Sequence, residues 1–266
     1  MSQPSRSVIR GALALMNARL LLEQIGLAAL AFGLAVVWLR MPDASPLDVV
    51  GSVALALLIL VVAGFGETAL FLRLTLRKRT AGRLLRGALL IFVGVALWFE
   101  WSKLLDHLHA NDGLRAGYYN SRFPHGLRNF FSYEHILLWL GWLWKDLAWI
   151  GGAVIAVFVF AAIASSRPGR AATRTLRSLT YWIVIVVGLT ATTLLTEAML
   201  QWTPGHGFRV EMLSLILRLA FVVLVDGWMA CLILCTVAEC VRQTNTAYLM
   251  SAGTPDDSQP RTVDNP

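Results

Sequence analysis

Two acids stand where an acid is costly to keep. Asp226 lies within the apolar run Leu213 to Val237, about 13 residues or roughly 20 Å from Leu213 at a rise of about 1.5 Å per residue, and no Lys or Arg occupies i±3 or i±4. Glu67 follows Ala63-Gly-Phe-Gly, its nearest Arg is six residues on at Arg73, and the glycines beside it let another helix approach closely. An ionisable group inside a membrane span costs several kcal/mol, faces protein or water, and marks a proton- or cation-binding point. A structural reading competes: Asp226 paired with Thr192 or Thr193, and Glu67 held within the bundle. Other charges near the spans have local partners. Glu23 follows Arg19, Glu100 precedes Lys103, Glu239 precedes Arg242, and Arg218 lies close enough to the end of its span to snorkel.

A second set of chemistry-bearing residues is gathered between two of the spans. All five histidines, His107, His109, His125, His135 and His206, lie at or beyond one end of the apolar runs, and Asp106, Asp112 and Glu134 accompany them. Three or four such ligands bind a borderline metal, with one position left open to water in a catalytic site. Asp106 and His109 share a helix face, whereas His107 and His109 do not, and no spacing matches H-E-x-x-H or a Cys/His finger. No metal or cofactor is assigned. Arg115, Arg122 and Arg128 with Tyr118 and Tyr119 suit a lipid phosphate, either as a binding site or as plain anchoring to anionic headgroups.

The elements that hold these residues follow from composition. The chain has 266 residues, 57% of them apolar and only 15% charged, and a mean hydropathy of +0.63. A soluble domain carries about a quarter charged residues, so the chain is an all-α integral membrane protein. Six stretches are long enough for a hydrocarbon core of about 30 Å: Leu20 to Leu39, Val49 to Leu72, Leu84 to Trp101, Leu147 to Ala164, Leu179 to Leu200 and Leu213 to Val237. None alternates apolar with polar residues as barrel strands do. The expected divisions are an N-terminal segment 1–19, a six-helix membrane domain 20–243, and a disordered tail 244–266 rich in Ser, Pro, Asp and Asn.

Orientation comes from the basic residues. Fifteen of the 23 Lys and Arg fall on one side of the spans, six of them between Arg73 and Arg86. The positive-inside rule puts that side, and both termini, in the cytoplasm of a bacterial-type inner membrane. The +7 net charge is therefore a topology signal and not a nucleic-acid footprint. The sizeable outward segment is then 102–146, between the third and fourth spans. The third helix is expected to run past the membrane surface until Asn111-Asp112-Gly113 breaks it. The stretch from Phe130 to Trp144 reads either as a helix lying flat in the interface or as one helix from Ser132 to Ala164. The lack of a Gly or Pro pair at the Trp144–Leu147 junction favours the second.

Cys231, Cys235 and Cys240 lie in or beside the last span, which excludes a disulfide scaffold. Gly188, Thr192 and Thr196, and likewise Gly227, Cys231 and Cys235, repeat every four residues as close-packing stripes. No G-x-S-x-G or Walker A sequence is present. The expectation is a non-enzymatic membrane subunit or transport component with a polar midmembrane point at Asp226, in contact with lipid and with other membrane subunits. The alternative is an outer-leaflet enzyme acting on a lipid or lipid-linked phosphate through the His/Asp/Arg-rich segment 103–135.

Overall fold

The computed structural model describes residues 4–42, 45–202 and 207–252. These residues form helices α1 (Pro4–Leu15), α2 (Ala18–Leu39), α3 (Pro46–Leu74), α4 (Ala81–His109), α5 (Asp112–Arg122), α6 (Tyr133–Ala164), α7 (Pro168–Leu176), α8 (Leu179–Gln201) and α9 (Phe208–Ala252), with one 3-10 turn at His125–Leu127 and no strand. Six of them, α2, α3, α4, α6, α8 and α9, are long and apolar enough to cross a membrane. Large apolar side chains along these helices are exposed in number, among them Leu39, Val50, Val61, Phe99, Val187 and Ile216. Lipid is the medium that covers such surface, so the chain is a multi-pass membrane protein.

Local sequence sets where the helices begin and end. Asn17 caps α2, its Oδ1 accepting from the Leu20 N–H at 2.8 Å. Ser45 caps α3: its Oγ accepts from the Asp48 N–H at 3.2 Å while its hydroxyl donates to Asp48 Oδ2 at 2.7 Å, and Pro46 occupies the first helical position. Thr80 caps α4 and Ser132 caps α6 in the same way. The last turn of α3 closes in a Schellman arrangement, with Arg77 N–H on Leu72 O at 2.9 Å and Leu76 at φ +55°. That position ordinarily goes to Gly, so Leu76 carries backbone strain.

The chain divides into two compact units. One comprises Met1–Ile25, Phe71–Lys78 and Ala164–Pro266. In it α1, α7 and α8 all pack on α9. Val8 and Ala12 of α1 are buried, as are Ala171, Ala172 and Thr175 of α7 and the stretch of α9 that holds Cys231, Cys235, Val237 and Val241. Gly188 of α8 lies against Met229 of α9, and Gly227 lies against Ile25; a Cβ at either glycine would collide. Glu23 joins Arg19 at 2.9 Å, as its spacing predicts, and also takes Arg73 Nη1 at 2.5 Å from 50 residues away.

The other unit comprises Gly26–Leu70 and Arg79–Ile163. Gly64 faces Ala88 and Gly87 faces Thr68, which brings α3 and α4 together. Gly94 faces Val159, while Gly151 and Gly152 of α6 lie under the indoles of Trp101 and Trp98 of α4. Those indoles donate to Leu147 O at 3.1 Å and to Ala148 O at 3.4 Å.

Four helices add to or extend what the sequence suggested. α1 and α7 are short amphipathic helices where the sequence suggested only flanking charge. Segment 112–122, to which the sequence assigned no element, forms α5. α9 also continues nine residues beyond 243, to Ala252, through Gln243, Asn245 and Thr246. Polar residues do not stop a helix whose backbone bonds are made internally. The remainder of the tail lies outside the described residues.

Candidate functional site

α9 is 45 residues long, about 68 Å at the α-helical rise and thus more than twice a hydrocarbon core. Its two halves differ. From Met229 to Val241 most side chains are buried against the rest of its unit, whereas from Phe208 to Leu219 most are exposed. Asp226 falls just before the change, and its side chain is exposed. It has no hydrogen bond or ion pair with any described residue.

A wholly apolar open groove of about 370 Å³ runs along the same unit, lined by Leu21, Ile25, Gly188, Thr192, Phe221 and Trp228 among others. Thr192, expected as a structural partner of Asp226, lines this groove, and Asp226 does not. At about 100° per residue, Asp226 lies roughly 140° round α9 from the face that carries Phe221, Val225 and Trp228. Glu67 on α3 differs from Asp226. It is half-buried and engaged within the protein. Glu239 takes Gln243 Nε2 at 3.0 Å in place of the expected Arg242. Arg218 is held locally by Ser214, Nε to Oγ 3.0 Å.

The connector 102–146 is built around a residue that sequence reasoning only counted among its neighbours. α4 runs on to His109, with Lys103 paired to Glu100 at 3.2 Å, and Asn111 ends the run. Asp112, in the first turn of α5, is 1% exposed. Its Oδ2 meets His109 Nδ1 at 2.6 Å and accepts from Trp144 Nε1 at 2.5 Å, while its Oδ1 accepts from Arg115 Nη1 at 3.2 Å. The same Arg115 nitrogen donates to Leu108 O at 3.0 Å, and the guanidinium lies 5.9 Å from the Trp144 ring centre. An acid in the first turn also suits the positive end of its helix. The only signal in the sequence is an acid after a helix break with Arg at i+3; its burial comes from Trp144, 32 residues on.

The other candidates are spent one by one. Arg122 lies over the Tyr118 ring at 5.0 Å. Arg128 donates to Phe123 O at 3.0 Å and to Ser121 O at 3.2 Å. His135 Nδ1 is 3.1 Å from Phe130 O, and its ring stacks on Trp139 at 6.3 Å. Phe123 and Phe131 stack at 4.3 Å, and Asn120 Nδ2 donates to Phe131 O at 2.7 Å. Asp106, His107 and His125 are exposed, and His206 lies outside the described residues. The three arginines are thus engaged separately: Arg115 with Asp112 and Leu108 O, Arg128 with backbone carbonyls, and Arg122 with an aromatic ring. Among the described residues no group of three His, Cys, Asp or Glu is placed to hold a metal ion.

α6 is one continuous helix from Tyr133 to Ala164, the alternative favoured by its uninterrupted junction. These features define a multi-pass α-helical membrane protein. Compared with known proteins, the chain matches no family model, no curated protein and no solved structure.

Proposed function

We propose that the chain is a non-enzymatic membrane subunit or transport component whose polar midmembrane point is Asp226, with both termini cytoplasmic in a bacterial-type inner membrane. One observation carries the reading. A carboxyl group projects from an apolar helix near the middle of its span, exposed and without a partner among the described residues. On insertion scales an Asp at a helix centre costs about 2.5–3.5 kcal/mol, a cost that makes sense where the group meets an ion, a proton path or another subunit. The basic residues Arg73, Arg77, Arg170 and Arg174 support the orientation through the positive-inside rule.

A second reading, the outer-leaflet enzyme on a lipid or lipid-linked phosphate, draws on the His109–Asp112 pair. A buried carboxylate that holds Nδ1 of a half-exposed imidazole orients its Nε2 outward, as a general base requires. The first reading is preferred because Arg115 and Arg128 are already engaged with Asp112 and with backbone carbonyls.

Both are tested by complementing a deletion strain with the chain fused at its C-terminus to green fluorescent protein, which fluoresces in the cytoplasm. The Asp226→Asn fusion is expected to be as fluorescent as wild type and to fail in complementation, while His109→Ala complements. Full complementation by Asp226→Asn with failure of His109→Ala would reverse the preference. A dark wild-type fusion that still complements would contradict the orientation.

A further inference from the structure

Asp226 does not stand alone on its face of α9. Met212, Leu215, Leu219, Val222, Asp226, Ala230 and Ile233 follow one another at steps of three or four residues, and so lie on one side of the helix. Met212, Leu215, Leu219 and Asp226 are exposed, and Val222, Ala230 and Ile233 are half-buried. This is the spacing of a helix–helix seam with a single polar residue set in its middle, the device that fixes register and partner choice in coiled coils. We propose that this stripe seats a membrane-spanning helix of a different polypeptide that carries a Lys or Arg level with Asp226. The proposal rests on the reading that Asp226 works within an assembly.

Three observations select that occupant. Lipid chains satisfy Met212, Leu215 and Leu219 but offer nothing to a carboxyl group, so lipid alone does not explain the seam. A second copy is disfavoured by symmetry. Copies inserted in one orientation and paired two-fold along the stripe would set Asp226 against Asp226, and the stripe itself carries no base. Ala230, one turn on from Asp226, is small enough for the partner's backbone to come close and for a long cationic side chain to reach the acid. An ammonium or guanidinium there meets the carboxylate in a medium where neither has another partner.

The test uses the full chain in phosphatidylcholine vesicles, labelled with a fluorescence donor. Acceptor-labelled synthetic transmembrane helices of a leucine host carry Lys, Leu or Glu at the centre. The Lys helix is expected to associate about tenfold more tightly with wild type than with Asp226→Leu, and Asp226→Asn, nearly the same shape, weakens it measurably. The Leu helix does not distinguish the variants, and the Glu helix binds no better than the Leu helix. Ala230→Leu is expected to weaken the Lys helix, whereas Leu217→Phe, off the stripe, leaves it unchanged. Equal binding of the Lys helix to wild type and Asp226→Leu would overturn the proposal. So would indifference to Ala230→Leu, or self-association of the chain that depends on Asp226. If the Lys helix shows no preference while Asp226→Asn still fails to complement, the seam falls and the functional reading stands. If the preference is found but Asp226→Asn complements, the seam stands and that reading falls.

Discussion

Asp112 and Asp226 show what a carboxyl group does in two settings. Asp112 is 1% exposed and takes three side-chain groups, from His109, Arg115 and Trp144. Removing a buried acceptor strands its donors, so Asp112→Ala is expected to cost roughly 2–4 kcal/mol within the connector. Hydrogen–deuterium exchange should speed up over 108–131 while α3 and α8 stay protected. His109→Ala removes one half-exposed partner and is expected to cost under about 1 kcal/mol. Equal damage from the two would mean that His109, and not Asp112, organises the segment. The lack of a base beside Asp226 was legible in the sequence because its helix neighbours are adjacent in the chain. Asp112 was not, because burial depends on Trp144, and the bond from Arg73 to Glu23 spans 50 residues. Helical spacing says nothing about either.

At the scale of elements, the long spans were legible and the short helices were not. A span declares itself by length, whereas α7 buries only Ala171, Ala172 and Thr175, residues too small to make an apolar stripe stand out among four arginines. The packing of α4 on α6 was equally hidden. Trp98 and Trp101 need the side-chain-free surface of Gly152 and Gly151 to reach the carbonyls of Ala148 and Leu147. A methyl group at Gly151 meets the Trp101 indole, and Gly151→Ala is expected to lower stability by about 1–3 kcal/mol. Gly141, on the same helix, has nothing within 4 Å of where a Cβ would stand. Gly141→Ala is therefore expected to be neutral or stabilising by up to about 1 kcal/mol. Thermal unfolding in detergent compares the two. A Gly151→Ala variant as stable as Gly141→Ala would show that the Trp101 indole is not held against α6.

For the whole molecule, composition and hydropathy were enough to specify an all-helical, multi-pass protein with six helices able to cross a membrane. They did not reveal the division into two compact units, which depends on contacts between residues far apart in the chain. Nor did they show that most side chains in the first half of α9 would be exposed. That half carries Asp226 at its end, a carboxyl group with no partner among the described residues. The most direct measurement is native mass spectrometry of the protein extracted in mild detergent from its own host, with wild type and Asp226→Asn side by side. The expected result is a second membrane subunit at fixed stoichiometry on wild type and its loss on Asp226→Asn, with the variant chain itself folded and present at normal level. A bare chain of 29.3 kDa, or the same subunit retained by both forms, would contradict the claim that Asp226 seats another polypeptide.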